Sequence, residues 1–249
     1  MINKRIVIVG ATSSIAKHCA RLWLERGETD LILIGRDSKR LEGLVNDFKV
    51  RAPHSKIEFI QAEFFESKSI AATVEELFKA GPVDVVLIAH GSLPNQVISQ
   101  NDLSLCRASI EINGISPILY AEAFVKHMEY AGRGKIALIG SVAGDRGRKS
   151  NYIYGSAKRL IEHYVQGLQH RLAKTDVRVF LVKPGPTYTP MTENLKNGGA
   201  KLAPVEGVAR VIVKGMDSNV RIIYAPKKWR LIMLAVRWLP FFVFKRLDF

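Results

Sequence analysis

The sequence predicts a doubly wound parallel α/β sheet in one domain, followed by a short amphipathic C-terminal extension. Two observations carry this. Short apolar, β-branched runs alternate regularly with segments whose apolar residues recur at helical spacing. The first run ends in a turn of small residues that opens a helix, the arrangement that receives a ligand at the carboxyl end of a parallel strand.

Residues 5–9, RIVIV, make the first strand and end at Gly10; GATSSIAK then opens a helix reaching about residue 26. Helix N-termini expose unpaired N–H groups and a positive dipole end, so small residues here let a pyrophosphate approach. Gly10, Thr12, Ser13, Ser14 and Ile15 are the candidate contacts. The second strand, residues 31–34, runs into Gly35 and Arg36, after which Asp37 or Ser38 caps a helix with Leu41, Leu44, Val45 and Phe48 on one face. An acidic residue at this strand end suits a free ribose 2′-hydroxyl, whereas an arginine beside a glycine suits a 2′-phosphate. Arg36 therefore predicts NADPH over NADH, with Asp37 as a competing ribose ligand.

The third strand, residues 57–61, leads to Ala62 and Glu63, and a helix follows with Ile70, Val74, Leu77 and Phe78 at helical spacing. The fourth, residues 85–89, ends in Ala89, His90 and Gly91. A long helical tract from about residue 103 to 130 carries Asn113, an uncharged amide in apolar surroundings. The fifth strand, residues 136–139, precedes Ser141 and a helix with Ile161, Val165, Leu168 and Leu172 facing the core. The sixth, residues 177–182, delivers Lys183, Pro184 and Gly185, with Thr187 and Thr189 beyond; residues 220–224 are the seventh.

The stretch SVAGDRGRKSNYIYGSAK, from Ser141 to Lys158, sets Tyr154 and Lys158 four residues apart on one helix face. A hydroxyl, a phenol and an ammonium brought together suit protonation of a carbonyl oxygen. A lone tyrosine, with its pKa of about 10, is a poor acid at neutral pH, and a neighbouring cation pulls that value toward the working range. Lys158 is positioned to be that cation, and Ser141 to hold the oxygen as charge develops.

The 249 residues suffice for one sizeable core, and their formal net charge of +14 points to anionic ligands or surfaces. Nucleic acid is the weaker candidate, because no zinc-finger or single-strand signature occurs and the basic residues are spread except at the C-terminus. Cys19 and Cys106 lie far apart with no metal-ligand spacing, so neither a disulfide framework nor a metal site is expected and a reducing cytoplasm fits. MINKR leads at once into a strand, which argues against a secretion signal.

The division expected is a catalytic unit at 1–225 and a basic, hydrophobic extension at 226–249. A helix over residues 228–239 sets Trp229, Ile232, Met233, Val236 and Leu239 on one side and Lys227, Arg230 and Arg237 on another; Phe241, Phe242, Phe244, Lys245 and Arg246 follow. Its apolar runs, interrupted by Arg237 and Pro240, are too short to span a bilayer as one helix, and residues 227–246 suit a peripheral membrane contact. An arm packed on a partner subunit is the alternative.

On these residues the chain resembles the short-chain dehydrogenase/reductases over nearly its whole length. Ser141, Tyr154 and Lys158, in their GSVAG and YGSAK contexts, carry the resemblance. It implies a Rossmann-like fold, a carbonyl substrate, NADPH or NADP as cofactor, and dimers or tetramers. It further implies that Asn113 holds a water next to Lys158, that Lys158 binds the nicotinamide ribose, that Thr189 lies near the nicotinamide carboxamide or the phosphates, and that Ala62 and Glu63 lie near the adenine. Two motifs depart from the family pattern: Ser14 and Ala16 replace glycines, and IAHG sets His90 where a small residue usually packs, which reads best as a packed histidine bonded to backbone.

GATSSIA, GRD, IAHG and the Trp-rich basic tail together most resemble the reductases of decaprenylphosphoryl 2-ketopentoses. That implies reduction of a keto group on a polyprenyl-phosphate-linked sugar, at the inner face of the cell membrane, as part of cell wall polysaccharide precursor synthesis. Arg146, Arg148, Lys149 and Lys183, read as loop residues, are the candidates for its phosphate. Reductases of other hydrophobic ketones (steroid, retinoid, acyl) and a non-catalytic NADPH-binding regulatory module are the alternatives.

Overall fold

The computed structural model describes residues 4–27, 29–193 and 200–247. Seven parallel strands form one sheet: β1 (Lys4–Val9), β2 (Thr29–Gly35), β3 (Lys56–Gln61), β4 (Val85–Ile88), β5 (Arg133–Ile139), β6 (Asp176–Pro184) and β7 (Ile222–Ala225). Their order is β3-β2-β1-β4-β5-β6-β7, so the winding reverses between β1 and β4 and opens a crevice at their carboxyl ends. The expected fold class is the one observed.

The central strands are apolar on both sides because helices cover both faces. Ile6 and Ile8 of β1 join a core with α1 (Ser14–Leu24), α2 (Ser38–Arg51) and α8 (Val205–Asp217). Val7 and Val9 point the other way, into a core with α3 (Ser67–Lys79), α6 (Ser116–Tyr130) and α7 (Tyr152–Arg171). All four are essentially solvent-free, and each contributes on the order of 1.5–3 kcal/mol of burial.

Three differences from the sequence expectation bear on the site. The tract expected as one helix is α4 (Gln96–Ser99), α5 (Leu103–Ile110), a π-helical turn at Glu111–Ile115, and α6. The reason is Pro117, which has no N–H to give the Asn113 carbonyl, so the α-helical ladder is interrupted there. Next, β6 runs on through Pro184, which carries Lys183 into the sheet. Finally, β7 begins at Ile222, because the Val220 N–H donates to the Gly215 carbonyl in the turn closing α8. The chain ends in α9 (Trp229–Trp238) and α10 (Phe241–Phe244); among the described residues no helix is long and apolar enough to cross a membrane.

Candidate active site

At the β1 end, Gly10 donates its N–H to the Ile34 carbonyl at 2.8 Å and adopts φ +80°; a Cβ there would lie 2.5 Å from the His90 nitrogen. Only glycine fits. Ser13 then serves as N-cap of α1 without a side-chain bond, and the first turn has no acidic residue. Its N–H groups and dipole are therefore left for an anion, and Thr12, Ser13, Ser14 and Ile15 are all half-buried around that opening. A dinucleotide pyrophosphate fits this turn.

Arg36 leaves the end of β2 with its guanidinium 5.5 Å from the Phe64 ring centroid. Asp37 is committed elsewhere: it accepts from the Arg40 N–H at 3.1 Å as the α2 cap and pairs with Arg40 Nε at 3.3 Å. Beside them the Ala62 N–H donates to the Gly35 carbonyl, and the exposed Glu63 accepts the Tyr120 hydroxyl on its main-chain carbonyl.

At the β4 end the Ala89 N–H donates to Val9. His90 is buried, as expected, but its partner is a side chain rather than backbone: Nε2 meets Ser116 Oγ at 2.9 Å, with Phe64 packed on the ring at 4.5 Å. Burial, then the charges of Lys158 and Arg36, bring its pKa down to about 3, so the imidazole is neutral at working pH. Next to it, Gly91 packs on Asn113 and Lys158. Asn113 is fully buried in the π-helical turn, its Oδ1 accepting from the Ser92 N–H at 2.9 Å and its Nδ2 donating to the Ser109 carbonyl at 3.0 Å.

Ser141 follows β5 and caps a 3₁₀ turn, Val142–Gly144, by accepting the Ala143 N–H on Oγ at 3.0 Å. Its hydroxyl interacts with Tyr154 in the sense that favours the phenolate. The turn can rest on α7 because position 155 is glycine: a Cβ there would sit 2.9 Å from the Ala143 carbonyl oxygen. One turn along α7, Lys158 is buried, donates to the Ile139 carbonyl at 3.0 Å, and lies 5.7 Å from the Tyr154 ring centroid. The serine, phenol and ammonium expected to meet do meet.

Their electrostatics differ from the expectation. Burial pushes Tyr154 up to about 12, against opposing contributions from the Ser141 hydrogen bond and the Arg148 charge. Burial also brings Lys158 down to about 7. The Arg148 charge favours the phenolate, while Lys158 donates its ammonium to a backbone carbonyl.

Lys183 and Arg146, both expected on loops, are committed to other partners. Lys183 is buried at the end of β6, paired with Asp145 and, at 2.9 Å, with Glu162; Tyr224 adds its hydroxyl to Asp145 at 3.3 Å. Arg146 turns to the tail, donating to the Val236 and Leu239 carbonyls at 2.5 and 2.6 Å with its guanidinium over Phe244. The missed signals were an acid one helical turn beyond Lys158 and another four residues beyond Ser141.

The loop after β6 holds itself. The Gly185 N–H donates to Ala225, the buried Thr187 donates its hydroxyl to the Gly185 carbonyl at 2.8 Å, and Thr189 exchanges bonds with Thr192 in a short 3₁₀ turn. The Trp229 indole lies against Gly185. This reverses the expected orientation of the tail: the Trp229, Met233 and Val236 side packs on the domain, and a second apolar set, Leu231, Leu234, Trp238, Phe241 and Phe242, faces solvent.

A short chain dehydrogenase profile matches residues 4–199. An uncharacterized oxidoreductase of Streptomyces coelicolor is 30% identical over 98% of this chain and 96% of its own length. Among solved structures, a short-chain dehydrogenase from Sphingobium yanoikuyae in complex with NADPH superposes with a TM-score of 0.80, at 23% identity over 94% of this chain and 93% of that one. The bulky-bulky ketone specific alcohol dehydrogenase of Comamonas testosteroni gives 0.81, at 22% identity over 95% and 93%. With this turn, this trio and this sheet, the chain belongs to the short-chain dehydrogenase family of oxidoreductases.

Proposed function

We propose that the chain is an NADPH-dependent reductase that converts a ketone to a secondary alcohol, acting on a polyprenyl-phosphate-linked keto sugar at the inner surface of the cell membrane. The observation that carries the reaction is the convergence of Ser141, Tyr154 and Lys158 at the carboxyl end of β5. Bound across the α1 turn, NADPH would supply the hydride. Tyr154 donates the proton to the carbonyl oxygen, Ser141 orients that oxygen, and Lys158 holds the nicotinamide ribose. Asn113 ties the π-helical turn to Ser92 and sits beside Lys158, where a water between them would feed protons inward. Gly35 and Arg36 favour the 2′-phosphate, and the capping of α2 by Asp37 removes its rival. The NADPH complex of the Sphingobium relative agrees with this choice.

The tail supports the finer reading. Residues 1–225 carry the chemistry, and residues 226–249 meet the membrane through the outward set around Trp238, which Lys227, Lys228, Arg230, Arg237, Lys245 and Arg246 flank. The same apolar surface also suits a different hydrophobic ketone, which is the second reading. As in its family, the protein is expected to act as a homo-oligomer. NADPH oxidation is measured in vesicles carrying a polyprenylphosphoryl 2-ketopentose, beside a Tyr154→Phe control and a panel of hydrophobic ketones. Turnover of the glycolipid that the control loses is the expected result; turnover of only another ketone refutes the sugar, and NADPH binding without turnover of any ketone refutes the enzyme.

A further inference from the structure

The end of β2 and the loop after β3 bring an exposed cation onto a buried ring. Arg36 is exposed, and its guanidinium carbon lies 5.5 Å from the Phe64 ring centroid, within reach of cation–π attraction. Its main chain is fixed as well, because the Arg36 carbonyl accepts from Gln61 Nε2 at 3.1 Å. Among the described residues no ion pair or side-chain hydrogen bond uses that guanidinium, and the neighbouring Asp37 carboxylate is taken by Arg40. Phe64 itself is 3% exposed and has no room to turn away. His90 packs on it at 4.5 Å and the Tyr120 ring meets it edge-on at 5.6 Å. Both supports are anchored in turn, His90 on the Ser116 hydroxyl and Tyr120 on the Glu63 carbonyl. The imidazole is neutral, so it does not compete with Arg36 for the ring.

We infer that Phe64 is a positioning residue for cofactor choice, its ring holding the Arg36 guanidinium at the end of β2 where the 2′-phosphate of NADPH arrives. A cation–π contact engages the charge of the guanidinium and spends none of its N–H donors, which stay free for phosphate oxygens. It also restricts the arginine side chain before binding, so less conformational freedom is lost when the phosphate docks. NADH presents a hydroxyl at the same place and gains nothing from a cation held there. This assignment rests on the reading of Arg36 as the 2′-phosphate ligand and adds the residue that prepares it.

The test is a double-mutant cycle on cofactor affinity, read by fluorescence titration of full-length protein with NADPH and with NADH, so that no ketone is needed. Phe64→Leu removes the ring and keeps an apolar side chain; Phe64→Met repeats the comparison with a longer one. Each is expected to weaken NADPH by roughly two- to fivefold, the size of one cation–π contact, and to leave NADH unchanged. Phe64→Tyr keeps the ring and is expected to keep the wild-type ratio of dissociation constants. In an Arg36→Ala background, Phe64→Leu is expected to change neither cofactor. Melting temperatures confirm that each variant is folded. Weakening of both cofactors in equal proportion shows a role in packing alone and overturns the inference, as does a loss of NADPH affinity that is the same with and without Arg36. If Arg36→Ala abolishes the preference for NADPH while Phe64→Leu preserves it, Arg36 stands as the phosphate ligand and only the Phe64 assignment falls. If Arg36→Ala preserves the preference, the phosphate is held elsewhere and both fall.

Discussion

Replacing Lys183 with methionine leaves Asp145 and Glu162 facing each other in the protein interior without their cation. Lys183 is 1% exposed, and the side chains of Asp145 and Glu162 are 0% and 4% exposed. Breaking a buried pair by removing one partner costs about 3–5 kcal/mol. Arg159, half-exposed and 3.1 Å from Glu162, compensates in part, which argues for the low end, about 3 kcal/mol. For a chain of this size that is a fall in melting temperature of roughly 6–12 °C. The triple variant Lys183→Met, Asp145→Asn, Glu162→Gln removes the charges together and is expected to recover much of the loss. The pH dependence follows in sign. Burial alone would lower the lysine pKa, but the hydrogen bonds its ammonium donates to Asp145 and Glu162 leave it raised above its ordinary 10.5. Its stabilisation is therefore fully present below about pH 10.5 and fades as pH climbs through the folded value. Thermal melts from pH 7 to 11 should show a constant gap between wild type and Lys183→Met that narrows only at the alkaline end. A gap under about 2 °C at pH 7, or a triple variant no more stable than the single one, refutes the reasoning.

Gly10→Ala forces a Cβ against the His90 backbone at a positive φ, and NADPH affinity measured by fluorescence titration should fall by at least about tenfold; an unchanged affinity would mean that the turn does not hold the cofactor. Arg36→Ala should erode the preference for NADPH over NADH by about tenfold while leaving NADH binding intact, and a preserved ratio of dissociation constants would reassign the 2′-phosphate contact. In the tail, Leu234→Glu combined with Trp238→Glu should abolish flotation with anionic liposomes without lowering the melting temperature, because both side chains already face water. Flotation equal to wild type would show that the outward face is not the membrane contact.

The sheet was legible because strands covered on both sides read as unbroken apolar runs, and the trio was legible because a turn and one helix fix its spacing. What escaped the sequence was competition between partners. Lys183 looks like a loop cation when the strand is taken to stop at Val182; two residues more of β6 make it a core ion. The tail helix is apolar on two sides, so periodicity alone could not say which side the domain takes, and the Arg146 contact that decides it spans some ninety residues of sequence. His90 and Ser116 lie on different elements, and Pro117 opens a π turn inside a pattern that still reads as continuous helix. Lys158 behaves unlike a surface lysine for the same reason: burial is a property of the fold, and no window of sequence contains it.

The π turn also makes this segment intolerant of changes in length. Each residue advances an α-helix by about 100°. Deleting a single residue within Glu111–Ile115 would remove the extra residue that the π turn accommodates and rotate everything before the cut by that angle about its axis. Asn113 would swing off Ser92 even though no side chain had changed identity. Substitutions across this stretch alter one contact at a time, whereas a one-residue deletion re-indexes the whole α5–α6 arm. A one-residue deletion between Asp102 and Pro117 is therefore expected to lower the melting temperature more than substitution of any exposed residue of this arm.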